Sequence, residues 1–320
     1  DELTFWGDNM SYSQPFFSNN ILSSDPQVQN YWTSLYNQIY TANAVIEGVQ
    51  NATHLEAETV ERLKGEALFI RALLHFYLVN LFGDIPYITT TDYTINLSVN
   101  KSTISQIYMF IQDDLEESID LLPEMYNDPN RVRPNKYTVI ALLARLNLYS
   151  ESWVKAENAA SLLLDNVAIY TTQPSPEFLF LKESPETIWQ LQTEAEGYPT
   201  HEANTFIIQS APPYVSSLSE SLIESFEEGD LRRTHWVGEI SSATNTWYYS
   251  KKYKQIDYGA VSSEYSIVFR LAEMYLIRAE ARARTGNLSG ALNDLNKIRV
   301  RSGLNEITTE NSQELLDAIL

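Results

Sequence analysis

Apolar positions recur at steps of three and four in two long blocks of the chain, the spacing that puts one apolar stripe on a helix. Trp32, Leu35, Tyr36, Ile39, Asn43 and Ile46 share the first such face. Val60, Leu63, Ala67, Ile70, Leu74, Tyr77 and Leu81 continue the spacing to Gly83, with Pro86 just beyond, residue types that end a helix. Counted from Glu56, that helix is about 40 Å long. Ile104, Ile107, Tyr108, Ile111, Leu115, Ile119 and Leu122 predict a third, opened by Ser102 or Thr103 and closed before Pro123. A helical pair is expected at about 135–151 and 153–166. After residue 170, short apolar runs such as 187–192 are interrupted by Pro174, Pro176, Pro185, Pro199, Pro212 and Pro213, so irregular structure with a few short strands is expected there. Helical spacing returns at Ile267, Leu271, Met274, Tyr275 and Arg278, pauses at Gly286 and Asn287, and resumes through Ala291, Leu292, Leu295 and Ile298 to Gly303. A last helix is expected to start near Thr309 to Asn311.

The two helical hairpins match each other: twelve residues separate Ala144 from Ala156 and Ala279 from Ala291. Small residues at that spacing let antiparallel helices approach closely across a short turn, as in tetratricopeptide-type repeats. The expected fold is therefore mainly α, a tetratricopeptide-like α-α superhelix with an irregular insert holding a few short strands. No Gly/Ser- or Pro-rich linker divides the chain, which predicts one domain over 1–320, with a helical scaffold at about 29–166 and 263–320 and the insert at about 170–262.

Charge narrows the partners. The 320 residues hold 22 Lys+Arg against 42 Asp+Glu, a formal charge of −20. That balance argues against nucleic-acid binding and against polybasic attachment to a membrane. With 44% hydrophobic residues the chain still buries a large core. The absence of cysteine removes disulfides, thiolate metal sites and Cys nucleophiles, and leaves the compartment open. The most apolar stretch, 69–82, carries Arg71 and His75 and is too short to span a bilayer. The chain begins at Asp1 and stops at Leu320 inside an apolar, helix-forming stretch, which reads as a mature segment cut at both ends.

Signals for chemistry are few. His54, His75, His201 and His235 have no metal-ligand spacing, and His75, among Leu74, Phe76 and Tyr77, is expected in a structural, hydrogen-bonded role. There is no nucleophile elbow, phosphate-binding loop or dinucleotide fingerprint, so no cofactor is expected. The carboxylates from Asp113 to Glu117 read as a solvated helix face. The unusual feature is aromatic: 6 Trp, 20 Tyr and 12 Phe, many outside the predicted helices. Trp32, Trp153 and Trp189 follow helical or strand spacing and belong to the core. Trp6, Asn9, Tyr12, Phe16 and Asn19 precede the first long helix, and Trp236, Trp247 and Tyr249 lie in the insert. Flat rings beside amides and carboxylates stack on sugar faces while the polar groups bond hydroxyls, so these eight are the candidate ligand residues. The competing assignment packs the same rings under the loops as small satellite cores.

Several segments resemble the SusD/RagB family, the surface nutrient-binding lipoproteins of Bacteroidetes polysaccharide-utilisation systems. Trp32, Leu35, Tyr36, Ile39 and Asn43 look like its W-x-x-LY-x-x-I-x-x-x-N helix. The stretch from Gly65 to Pro86, with Arg71, Ala72, Phe82, Gly83 and Asp84, is similar to its GEA-x-FLRA…FGD-x-P signature. Ile111, Asp114 and Leu115 follow its I-x-x-DL pattern, with Ser118 where Ala is usual; Asp230 and Arg232 resemble its D-x-R turn; 270–280 and 296–304 resemble its RLAE-x-YLIRAEA and N-x-I-R-x-R-A-G-L segments. The resemblance implies four tetratricopeptide-like helix pairs and an insert that carries much of the binding face. It also implies lipid attachment through an N-terminal cysteine absent from this chain, exposure on the outer membrane, and a SusC-like TonB-dependent transporter as partner. Most motif residues have structural readings: Gly65 and Ala67 allow close packing, Arg71 and Glu280 make partly buried ion pairs, and 83–86 ends a helix. The family's ligand residues sit in variable loops, so the resemblance points to regions, namely the segment before Trp32 and the insert.

The expected function is non-catalytic capture of a polysaccharide or oligosaccharide for the transporter. The alternatives are a glycoside hydrolase on a helical scaffold, which needs two carboxylates facing one aromatic cleft, and a helical-repeat scaffold that binds protein.

Overall fold

The structure, a computed structural model, describes residues 3–5, 14–214 and 216–320. A short strand β1 (Leu3–Phe5) and helix α1 (Gln14–Phe17) precede α2 (Pro26–Gln50), which opens where the Asp25 carboxylate accepts the Gln27 N–H and Pro26 takes the first helical position. Next comes α3 (Ala57–Phe82), which stops at Gly83, whose φ of 75° suits a residue without a Cβ. The following Asp84 accepts the Ile104 N–H at 3.1 Å and so satisfies an unpaired donor at the start of the next long helix. Between them lies α4 (Tyr93–Asn96), and then α5 (Ile104–Leu121), opened by a reciprocal capping box of Thr103 and Gln106. Two further helices, α6 (Lys136–Tyr149) and α7 (Trp153–Leu164), complete the first block.

The insert runs through β2 (Thr187–Leu191), α8 (His201–Phe206), β3 (Ser216–Leu218), α9 (Glu220–Glu224), α10 (Leu231–Trp236), β4 (Val237–Ser241) and β5 (Thr246–Ser250). The chain returns through β6 (Ser266–Arg270) to α11 (Leu271–Arg284), α12 (Leu288–Arg301) and α13 (Ser312–Ile319). The strands form antiparallel pairs, β1 with β3, β2 with β6 and β4 with β5. The fold is mainly α, and the helices stack in order: α2 on α3, α3 on α5, α5 on α6, α6 on α7, α7 on α11, α11 on α12. The insert thus leaves after α7 and re-enters at α11, which packs directly on α7. Arg145 of α6 clamps this junction with a two-pronged bond to Glu273 of α11, 2.6 and 2.8 Å.

The matched hairpins are close copies. Ala144, Ala156, Ala279 and Ala291 are all fully buried. Each turn is closed by the same reach-back, Ser152 N–H to Asn147 O and Asn287 N–H to Arg282 O, both 2.8 Å. Each places one residue in the left-handed region, Glu151 at φ 57° and Gly286 at φ 88°. Among the motif pairs, Glu280 bonds Arg284 one turn on at 3.3 Å.

Asp114, expected with its neighbours on a solvated helix face, is instead 6% exposed on α5 and paired with Arg71 of α3. Two further expectations are corrected. Helical spacing from Ile267 suggested a helix, but 266–270 is strand β6, and the helix begins at Leu271. Ile267, Val268 and Phe269 are β-branched or aromatic, and pairing with β2 satisfies their backbone while Phe269 is fully buried beside Trp189. The second concerns the membrane. On length and composition alone α3 is apolar enough to cross one, yet 67% of that apolar window is buried inside the bundle. It is the central core helix, flanked by α2 and α5, and its Phe69 and Leu78 belong to one core with Ile39 of α2 and Ile107, Ile111 and Leu115 of α5. Each such fully buried side chain contributes about 1.5–3 kcal/mol. Of the tryptophans assigned to the core, Trp189 meets Phe69 edge-on at 5.1 Å, and Trp32 and Trp153 are half-buried against the same core.

Candidate functional site

The insert and the strand β1, with Ile267 of β6 and Leu320, line an open cavity of about 700 Å³. Its wall holds Trp236, Phe180, Phe206, Phe226 and Tyr253, with Glu202, Arg232 and Lys252 among them. The Trp236 indole is held in place: its N–H donates to Pro176 O at 2.8 Å, and Phe180 meets it edge-on at 5.4 Å. Phe180 also packs edge-on against Tyr253 at 5.2 Å, and the Tyr253 hydroxyl accepts the Ile267 N–H at 2.9 Å. Burial pushes the Tyr253 phenol far above its ordinary range, so it stays neutral.

Cations border the indole. Lys252 Nζ lies 5.7 Å and the Arg270 guanidinium 5.9 Å from the Trp236 ring centre. Arg232 is fixed by a fork on Asp230, Nε to Oδ1 at 3.0 Å and Nη2 to Oδ2 at 2.7 Å, while Asp230 also caps α10 by accepting the Arg232 N–H. This is the structural content of the Asp230–Arg232 turn: a helix cap that also orients a guanidinium on the cavity wall. Glu202 accepts the Ser266 hydroxyl at 2.7 Å. Rigid rings with fixed donors and acceptors between them suit a neutral, hydroxyl-rich ligand with apolar faces.

The fold distributes the candidate residues unevenly. Trp236 is on the cavity wall. Trp247 and Tyr249 are not, because β4 and β5 are registered Val237 opposite Ser250 and Gly238 opposite Tyr249. Val237 and Ser250 line the cavity, and alternation along β5 sends Trp247 and Tyr249 to the opposite face. Trp247 is 6% exposed there, leaving no open ring face for stacking. Tyr249 lies across Gly238, so closely that a Cβ on that glycine would sit 2.3 Å from its ring. Phe16 is half-buried and meets Tyr31 edge-on at 6.3 Å beside α2. Asn19 is exposed, with φ 50°, in the turn after α1, its N–H donating to Phe16 O. Neither reaches the cavity wall. Trp6, Asn9 and Tyr12 lie outside the described residues; the strand that precedes them, β1, pairs with β3, and Leu3 lines the cavity. Phe180, Phe206, Phe226, Glu202 and Lys252 were not singled out from sequence. Glu202 and Phe206 lie on the short helix α8 and the other three in loops or turns, none within a motif, and only the ring-rich composition of the insert hinted at them.

A family model described as "Starch-binding associating with outer membrane" matches residues 2–148, and the SusD family model matches 234–320. SusD-like protein P2 of Formosa agariphila is 27% identical over 87% of this chain and 63% of its own length. The chain spans less than two thirds of the length of this and of two other curated relatives that it matches, at 62% and 65%. Among solved structures, surface glycan-binding protein A from Bacteroides uniformis superposes with a TM-score of 0.83 at 19% identity, covering 99% of this chain and 76% of that one. A laminarin-binding SusD-like protein superposes with a TM-score of 0.79 at 20% identity, covering 96% of this chain and 77% of that one. At these identities the likeness is one of fold. The first family model covers the helical block as far as α6 and the second covers the end of the insert together with α11 to α13; the resembling residues sit in the packed helices, Gly65 and Arg71 in α3, Asp114 in α5 and Arg278 in α11, and the chain belongs to the SusD/RagB family.

Proposed function

We propose that this protein captures a glycan at the Trp236 cavity, without cleaving it, for delivery to a TonB-dependent transporter of the outer membrane. The observation that carries the reading is an immobilised indole in a cavity of about 700 Å³, bordered by Arg232, Lys252 and Glu202. Family membership and the glycan-binding and laminarin-binding proteins of the same fold support it. Glycosidases place two carboxyl groups across the scissile bond, and Glu202 is the one acidic side chain among the described lining residues, which favours capture over hydrolysis. Transporter delivery, a lipid anchor and a surface location belong to the same proposal and rest on the family alone.

Affinity electrophoresis against neutral polysaccharides, laminarin and starch included, tests the reading. Retardation in at least one gel is expected, reduced about tenfold or more in affinity by Trp236→Ala, with no new reducing ends released. Failure of the native protein to bind any glycan of the panel, or release of product, overturns it. Co-purification with a TonB-dependent receptor tests the delivery step separately.

A further inference from the structure

A second pair of rings stands outside the cavity. Tyr198 and Tyr258 come from separate loops and meet edge-on at 4.9 Å, yet they are 41% and 69% exposed. Their loops are fastened together beneath them. Gly259 N–H and Gln255 Nε2 both donate to Gly197 O, at 2.9 and 3.1 Å, and Gly197 N–H donates to Ser262 Oγ at 2.8 Å. The Ser262 N–H in turn donates to Glu196 Oε1 at 2.8 Å. Gly197 has φ 82°, and a Cβ there would lie 1.8 Å from Gly259 O, so the approach of the two loops depends on glycine. The rings are therefore presented by a braced platform, and their stacking surface is ordered before any ligand arrives. Exposed polar groups flank Tyr198 in the chain: Glu194 and His201, 3.6 Å apart and 73% and 83% exposed.

The platform adjoins the Trp236 cavity through α8. That helix carries Glu202 and Phe206 into the cavity wall, and Tyr198 precedes Glu202 by four residues, a Cα separation of at most about 14 Å. We propose that Tyr198 and Tyr258 form a second sugar-stacking station, which takes a ring further along the same glycan that Trp236 holds, so that the protein selects extended oligosaccharides over short ones. The inference rests on the glycan reading above and adds chain-length selection to it.

The test is calorimetry with a size ladder of oligosaccharides prepared from whichever polysaccharide of the panel binds, comparing the native protein with Tyr198→Ala/Tyr258→Ala. Native affinity is expected to rise with chain length, and the double variant to lose about 3- to 10-fold on the long members and nothing on the shortest that bind. Tyr198→Phe/Tyr258→Phe keeps the rings and is expected to retain the length dependence, which separates stacking from any change in loop structure. Equal affinities of the native protein and the alanine variant at every length overturn the second station and leave the Trp236 reading standing. Absence of glycan binding by the native protein overturns both.

Discussion

Arg71 grips Asp114 with both edges of its guanidinium, Nε 2.7 Å from Oδ2 and Nη2 2.6 Å from Oδ1, at a site nearly sealed from water. Arg278 holds Asp294 in the same way, both bonds 2.8 Å, in the last hairpin. In each pair the arginine is followed by a buried alanine and the aspartate by a buried leucine, Ala72 with Leu115 and Ala279 with Leu295. The first pair is also bonded to Asn43 and Tyr87, so the two charges have few unmet bonds. A buried pair of this kind adds little over a well-packed apolar one, but losing one partner strands a charge. Asp114→Ala and Asp294→Ala should each lower the unfolding free energy by about 3–5 kcal/mol, read from urea melts. Arg71→Met combined with Asp114→Leu should recover much of the first loss; an unrecovered double variant would show that geometry, not stranded charge, dominates.

His75 provides a pH signature. Its ring is fully buried, stacks on Tyr87 at 4.0 Å, bonds Arg71 O through Nδ1 and accepts the Ile88 N–H on Nε2. With Nε2 accepting, the proton sits on Nδ1 and the ring is neutral. Burial pulls its pKa from 6.5 down to about 3, the nearby Arg71 charge adding to the effect while the bond to Arg71 O opposes it. The unfolded chain therefore takes up a proton that the folded one refuses. The stability from this group is complete above pH 6.5 and is lost as the pH falls toward 3, at up to about 1.4 kcal/mol per pH unit. His75→Gln should destabilise the protein at pH 7 and progressively less at lower pH. A difference in urea midpoint that stays constant from pH 7 to 4 would remove His75 as the cause.

Close packing at Gly65 makes a steric prediction. A Cβ there would lie 2.9 Å from Leu122 Cγ and 3.1 Å from Leu121 Cβ, and Ser118 bonds Gly65 O at 2.7 Å across the same contact. Gly65→Val should cost about 1–3 kcal/mol by forcing α3 away from α5. Gly48 in α2 has nothing within 4 Å of the same position, so Gly48→Ala should stabilise by about 0.5–1 kcal/mol. Thermal melts of the two variants should move in opposite directions.

Trp236 and Trp247 should separate by phenotype. Trp247 is a buried ring on the far face of β5, and Trp247→Ala should lower stability by about 3–5 kcal/mol. Trp236→Ala should act chiefly on glycan affinity. Paired melts and calorimetry on both variants decide the matter; a Trp247→Ala protein that keeps its stability but loses glycan binding would move the site to the other face of the ribbon.

Helices were legible in the chain because their cause is local. Spacing of three and four in 56–83 and 104–122, the Thr103 cap, Gly83 and the paired alanines of the two hairpins act within a few residues of one another, and the structure places them as read. The strand β6 was not legible: Ile267 to Arg270 fit either period, and a partner far away at 187–191 decided between them. The candidate site shows the same limit more sharply. Sequence marked the insert as ring-rich and named Trp236 and Trp247 alike, since both are tryptophans in that irregular segment. The register of β4 against β5, which faces Val237 and Ser250 toward the cavity, turned Trp247 into core, while Trp236 at the end of α10 is held on the wall by Pro176 O and Phe180. Phe180, Glu202 and Leu3 meet there from three separate parts of the chain, and no local pattern records an encounter whose energy comes from burial between distant segments. Helical identity and family were thus properties of the sequence, while the geometry of the cavity was settled by tertiary packing.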